Sequence, residues 1–268
     1  MIDKMRQLET FARAGWFARG VVYCLLAYLA LTGASASDAS PQGVFRSVQD
    51  MPAGKWLLGL LALGLALYGA YRVYSAALDS EGKGDDAKGI AVRIGYAASG
   101  FAHFFLAYAA IRLAAGQPSG GDGETEQRAA GMMLDIPLGQ TFLGALGVAF
   151  LAAAAHQLIK AWTTEFMKDM AAGAPRWVVP VGRAGLVARA VVFATIGVSL
   201  LSAGWFGAAG EVKGLGDALY SLTDHPELYS LVAIGLFMFG VHSFVDARWW
   251  RIRNEDMVSV LKARAARR

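Results

Sequence analysis

Charge is scarce in this chain. Lysine, arginine, aspartate and glutamate make up 17% of its 268 residues and hydrophobic residues 56%, whereas roughly a quarter of an ordinary soluble domain is charged. So little charge leaves too few polar groups for a water-solvated surface, and a membrane protein is the first expectation. Cysteine is nearly missing: the lone Cys24 lies inside an apolar run, which excludes an internal disulfide and any Cys-x-x-Cys site. There is no HExxH zinc helix, no Walker phosphate loop and no GxSxG nucleophile elbow. No nucleophile, metal-ligand set or carboxylate pair emerges either, so the expectation is a non-enzyme without metal or cofactor.

What the chain has in quantity is repetition. Arg13 to Tyr23 reads RAGWFARGVVY, and the pattern returns at Arg93 to His103 (RIGYAASGFAH) and Arg183 to Phe193 (RAGLVARAVVF). Each copy has arginine first, glycine two residues later, alanine at the sixth position and a ring at the eleventh. The starts lie 80 and 90 residues apart, so the chain divides into three units. Repeat 1 spans 13–78, repeat 2 spans 93–160 and repeat 3 spans 183–250, all within one transmembrane domain over 1–268, and 251–268 is expected to be a basic cytoplasmic tail.

Six apolar runs reach the roughly 20 residues that a membrane-crossing helix requires. They are Gly15 to Gly33, Trp56 to Leu78, Ala91 to Ala115, Leu138 to Lys160, Gly182 to Phe206 and Leu228 to Trp250, two per repeat. The first, with Lys4, Arg6, Arg13 and Arg19 before its most apolar part, also suits a secretory leader. The same motif opens the third and fifth runs, which argues against cleavage.

Nineteen lysines and arginines fall on the side of the arginine motifs and four on the other, an imbalance that places both termini in the cytoplasm and the protein in the inner membrane. These cations read as topology signals beside anionic headgroups, so nucleic acid is not expected as a partner. On the far side, Val44, Phe45, Val48 and Met51, then Ala129 to Leu134, then Leu215, Ala218, Leu219 and Leu222 follow helical spacing. They predict short interfacial helices on the outer surface. Pro52, Pro137 and Pro226 are expected in the first turns of the return helices, and the 32 glycines are best used as surfaces on which helices approach closely in lipid.

The triple R-x-G opening with six paired hydrophobic runs resembles the bacterial membrane family called domain of unknown function 1206, carried best by Arg13, Gly15, Ala18, Arg19 and Gly20. Ser99 replaces the second arginine in the middle copy and Ala190 the glycine in the third. The resemblance implies three two-helix repeats and no assigned activity. The expected fold is therefore all-α: six transmembrane helices, as three tandem hairpins around a pseudo-three-fold axis.

Ionisable side chains inside membrane helices are the candidates for function. Arg19 and Arg189 lie six residues beyond Arg13 and Arg183, about 9 Å deeper. They either snorkel to the headgroups or face the bundle and grip an anionic ligand with paired hydrogen bonds. His103 sits at the eleventh motif position, and His156 and His242 align with each other and with Tyr71 in the return helices. Such positions could converge on the axis as ligand groups or proton carriers, or each imidazole could simply bond a neighbouring helix. Asp246 stands one turn beyond His242 and could orient it. Arg13, Gly15, Arg93, Gly95, Arg183 and Gly185 carry the repeat and are expected to be structural.

Two classes of function follow. One is a protein that binds or transports a small ligand, lipid or ion in a cavity between repeats, with membrane lipids, anionic ones among them, as partners. The other is an accessory or scaffold subunit docked to another membrane protein or to its own copy.

Overall fold

The computed structural model describes residues 2–33, 35, 38–117, 124–170 and 173–250, and the basic tail at 251–268 lies outside them. Among the described residues the chain is helical, with no strand. Six helices are long and apolar enough to span a bilayer: α1 (Ile2–Leu31), α3 (Gly54–Leu78), α4 (Ala87–Ala114), α6 (Gly139–Thr163), α7 (Val178–Phe206) and α9 (Pro226–Trp249). Three shorter ones, α2 (Pro41–Gln49), α5 (Glu124–Leu134) and α8 (Leu215–Tyr220), connect them on the side away from the motifs.

Local chemistry explains most boundaries. Ser40 caps α2, its side chain accepting from the Gly43 N–H at 3.0 Å, and Asp86 caps α4 through the Gly89 N–H at 2.8 Å. Nothing before Gly15 breaks a helix, so α1 starts well ahead of its apolar run. Likewise α7 begins four residues before Gly182, because Pro180 falls in its first turn, where no N–H is needed. The proline expectation holds for Pro226, the first residue of α9, but not for Pro52 and Pro137. Those two precede the helix, and Ala53 and Leu138 then take left-handed conformations, φ 62° and 68°, before α3 and α6 begin.

The short helices form where the spacing predicts them. Their apolar sides are covered by the chain itself: Val44, Phe45, Ala218 and Leu219 are almost wholly buried, and Met51 is exposed. Gln49 of α2 donates to the Leu113 carbonyl near the end of α4 at 2.9 Å, which ties this layer to the spanning helices.

Each return helix packs against the opening helix of the next repeat: α3 on α4, α6 on α7, and α9 back on α1. The motif arginines secure these contacts. Arg93 Nε donates to the Ala76 carbonyl of α3 at 2.7 Å, Arg183 Nε to the Ala161 carbonyl of α6 at 3.0 Å, and Arg13 to the Trp250 carbonyl beyond α9 at 3.3 Å. An arginine at a helix C-terminus satisfies carbonyls that have no partner within the helix and complements the negative end of its dipole. The backbones approach where glycines meet: Gly20 faces Gly240, and Gly69 faces Gly100. In the third contact Ala190 and Ala154 hold the corresponding positions, and the closest approaches move along the helices to Gly147 with Gly197 and Gly144 with Gly204.

Within repeats 1 and 3 the two helices also pack on each other, α1 on α3 and α7 on α9, but no comparable contact joins α4 and α6 of repeat 2. The packed succession is thus α4, α3, α1, α9, α7, α6. It curves: a flat row with helices roughly 9 Å apart would separate α4 from α7 by about 36 Å, yet Arg189 of α7 and Arg19 of α1 lie 4.7 Å from the same Phe239 ring, Arg19 bonds Tyr68 at 3.1 Å, and Tyr68 meets His103 of α4 at 4.4 Å. The spanning helices form a horseshoe whose mouth lies between α4 and α6.

Candidate functional site

Toward the motif end of the interior, α1, α3, α7 and α9 bring together charged and aromatic groups. Arg19 is buried, and each of its three nitrogens has a partner. Its Nε donates to Ser243 Oγ at 3.1 Å, one terminal nitrogen to the Tyr68 hydroxyl at 3.1 Å and the other to Asp246 at 3.3 Å. The guanidinium carbon also lies 4.0 Å from the centroid of the Trp16 ring, a favourable cation–π position. Tyr68 accepts a second bond, from Arg72 Nε at 2.8 Å, and Arg72 reaches on to Glu81 at 3.2 Å. Glu81 sits in the connection between α3 and α4, where it accepts from the hydroxyls of Tyr71 at 2.8 Å and Tyr96 at 2.6 Å.

Arg189 differs from both. Its guanidinium carbon rests 4.6 Å from the Phe193 centroid and 4.7 Å from that of Phe239, the same distance at which Arg19 meets the Phe239 ring. It has no carboxylate or hydrogen-bond partner among the described residues, and its Nε is buried without one. The cluster therefore holds three arginines against two carboxylates, with the unmatched charge on Arg189.

The other candidates separate. Asp246 is shared between Arg19 and His242, whose Nε2 stands 3.8 Å from it while the ring meets Phe166 edge-on and Nδ1 has no partner among the described residues. His103 Nδ1 donates to the Ser99 carbonyl at 2.7 Å, with its ring over Tyr68 at 4.4 Å. Tyr71 and His242 are buried, but His156, at the aligned position, is exposed. Tyr71, His156 and His242 therefore do not converge on one axis: α6 has no partner from its own repeat, so the face that a neighbour covers in α3 and α9 is bare. Snorkelling fails for Arg19 as well, since its three bonds turn it inward, where each nitrogen already has a protein partner. Sequence reasoning missed Tyr68, Arg72, Glu81 and Tyr96. Only the i, i+4 spacing of Tyr68 and Arg72 hinted at them.

A polytopic helical membrane protein built from repeated hairpins is the class these features define. The chain belongs to the family described as Domain of Unknown Function (DUF1206), whose pattern matches three times, at residues 14–79, 94–164 and 184–249. It is also 32% identical over 248 residues, covering 89% of this chain and 90% of the relative, to "Uncharacterized protein YxxB" of Bacillus subtilis (strain 168). No solved structure matches it.

Glu81 lies outside the spanning segments and gives a pH test. Burial pushes its carboxyl up, but the Arg72 charge and the bonds from Tyr96 and Tyr71 outweigh burial and hold it below the usual carboxylate range. Folding therefore favours the anion. The stabilisation is complete above the unfolded value of about 4.3 and is lost as pH falls through the depressed folded value. In detergent, Glu81→Gln should lower the melting temperature at pH 7, and its deficit relative to wild type should shrink on acidification through that window. A deficit that stays constant with pH would contradict the ionic role.

Proposed function

We propose that the protein is an inner-membrane protein with both termini in the cytoplasm, three hairpins related by an approximate three-fold rotation, and a binding site for an anionic group at Arg189. The cyclic pairing of return and opening helices, repeated by the arginine caps, supports the rotation. The excess of cationic residues on the motif side supports the orientation, and α2, α5 and α8 then lie toward the outer surface.

One observation carries the binding reading. Of the three arginines in the cluster, Arg189 alone has no counter-charge among the described residues. A lone cation within a membrane span costs several kcal/mol, and its N–H groups suit a phosphate or carboxylate. Binding fits better than catalysis because Asp246 and Glu81 are each tied to an arginine and neither is placed to act as a base.

Heat stability of the protein in a neutral detergent tests this reading. At matched ionic strength, sodium phosphate and phosphatidylglycerol should each raise the melting temperature above the values in sodium chloride and phosphatidylcholine. Arg189→Gln should remove the difference. Equal melting of the wild-type protein in all four media would reject the site.

A further inference from the structure

The parting of α4 from α6 is written into the residues of repeat 2. In repeat 1, Gly15 lies against the backbone of Tyr68, and Ala18 against Gly64; in repeat 3, Gly185 lies against Phe239, and Ala188 against Gly235. The corresponding residues of repeat 2 are Gly95 and Ala98 on α4, with Ala149 and Ala153 on α6. The large ring that fills the first and third hairpins is an alanine in the second. A side chain built at Gly95 would meet nothing within 4 Å, and Ala98, Ala102 and Ala149 are exposed. Both helices thus present to each other the faces that are closed elsewhere, with no side chain to close them.

We propose that this mouth admits a glycerophospholipid from the leaflet on the motif side, its phosphate held by Arg189 and an acyl chain lying along Gly95, Ala98 and Ala102 of α4 and Ala149 and Ala153 of α6. Three features select a phospholipid over another occupant. The unmatched charge beside the mouth is positive, complementary to a phosphodiester: Arg189 rests on Phe193, whose ring meets that of Phe150 of α6 at 5.5 Å, next to Ala149. The bare face runs from the motif end toward mid-helix: Gly95 to Ala102 spans about 10 Å of helix, within the roughly 15 Å of one leaflet's hydrocarbon. A gap lined by glycine and alanine and facing the bilayer is filled by whatever apolar chain surrounds it, and here that is lipid. The inference rests on the anion reading for its headgroup, while the seat of the chain is tested separately.

Ala153→Phe restores to repeat 2 the ring that Tyr68 and Phe239 supply, and should close the mouth. Phosphatidylglycerol retained through detergent purification, counted by native mass spectrometry, should drop roughly tenfold, about the worth of two buried methylene groups of the displaced chain. Stabilisation by sodium phosphate should persist. Arg189→Gln should lose both responses. Retention in Ala153→Phe at the wild-type level overturns the mouth and leaves the headgroup site standing; loss in Ala153→Phe with none in Arg189→Gln overturns the headgroup assignment.

A second measurement starts from the wild-type protein. Phosphatidylglycerol bearing a mid-chain diazirine should label wild-type protein at Ala98, Ala102 and Ala149 in preference to the exposed Leu60 and Leu63 of α3. Even labelling, or cross-linking of two copies through Ala98→Cys, would replace the lipid with bulk solvation or with a protein partner.

Discussion

Asp246→Ala should cost the protein about 3–5 kcal/mol of stability, the usual penalty for stranding one member of a buried ion pair. Arg19 is 5% exposed and Asp246 8%, so water cannot take over when the carboxylate is removed. The remaining partners of Arg19, Tyr68 and Ser243, are neutral and supply hydrogen bonds without charge. Asp246→Asn should fall between alanine and wild type, because an amide oxygen still accepts from the guanidinium. The double variant Arg19→Leu with Asp246→Leu should recover much of the loss, since removing both charges also removes their desolvation cost. Equilibrium unfolding in mixed detergent micelles gives the four values. An alanine variant within about 1 kcal/mol of wild type, the range of an exposed pair, would show that the pair is hydrated.

The second large effect comes from one motif position with three environments. A methyl group at Gly15 would stand 2.7 Å from the Tyr68 Cα and 2.8 Å from its N, and one at Gly185 would stand 2.6 Å from the Phe239 Cα. These obstacles are backbone, which a rotamer change cannot move, so Gly15→Ala and Gly185→Ala should each cost at least the 1–3 kcal/mol typical of overpacking. Gly95→Ala meets no obstacle and should be neutral, or stabilising by up to about 1 kcal/mol through helix propensity. Thermal melting of the three variants decides the matter. Similar losses at all three would mean that α4 and α6 are as tightly closed as the other two hairpins.

Arg19 and Arg189 show how far the chain could be read along its length. Both fall at the same place in the motif, and a sequence reading treats them as a pair. Their roles diverge through residues on a distant helix: at one repeat-equivalent position Arg19 faces Tyr68, with Ser243 and Asp246 supplied by α9, whereas Arg189 faces Phe239, which has no hydroxyl to offer. The partners of Arg19 stand 224 and 227 residues away in the chain, and no local pattern announces such a meeting. His156 teaches the same lesson from the other side, since alignment with His242 reveals its kinship and not its exposure.

Span length, the three-fold repetition and the helical form follow from the sequence alone, because in a bilayer each segment must satisfy its own backbone hydrogen bonds and cover its own thickness; those requirements are local and leave a mark on consecutive residues. The order of packing around the horseshoe, the neutralisation of two arginines but not the third, and the gap in repeat 2 were decided only by tertiary structure. Each depends on which side chain a neighbouring helix presents at a given height, and a change as small as alanine for tyrosine or phenylalanine at one return-helix position determines whether two helices close or part.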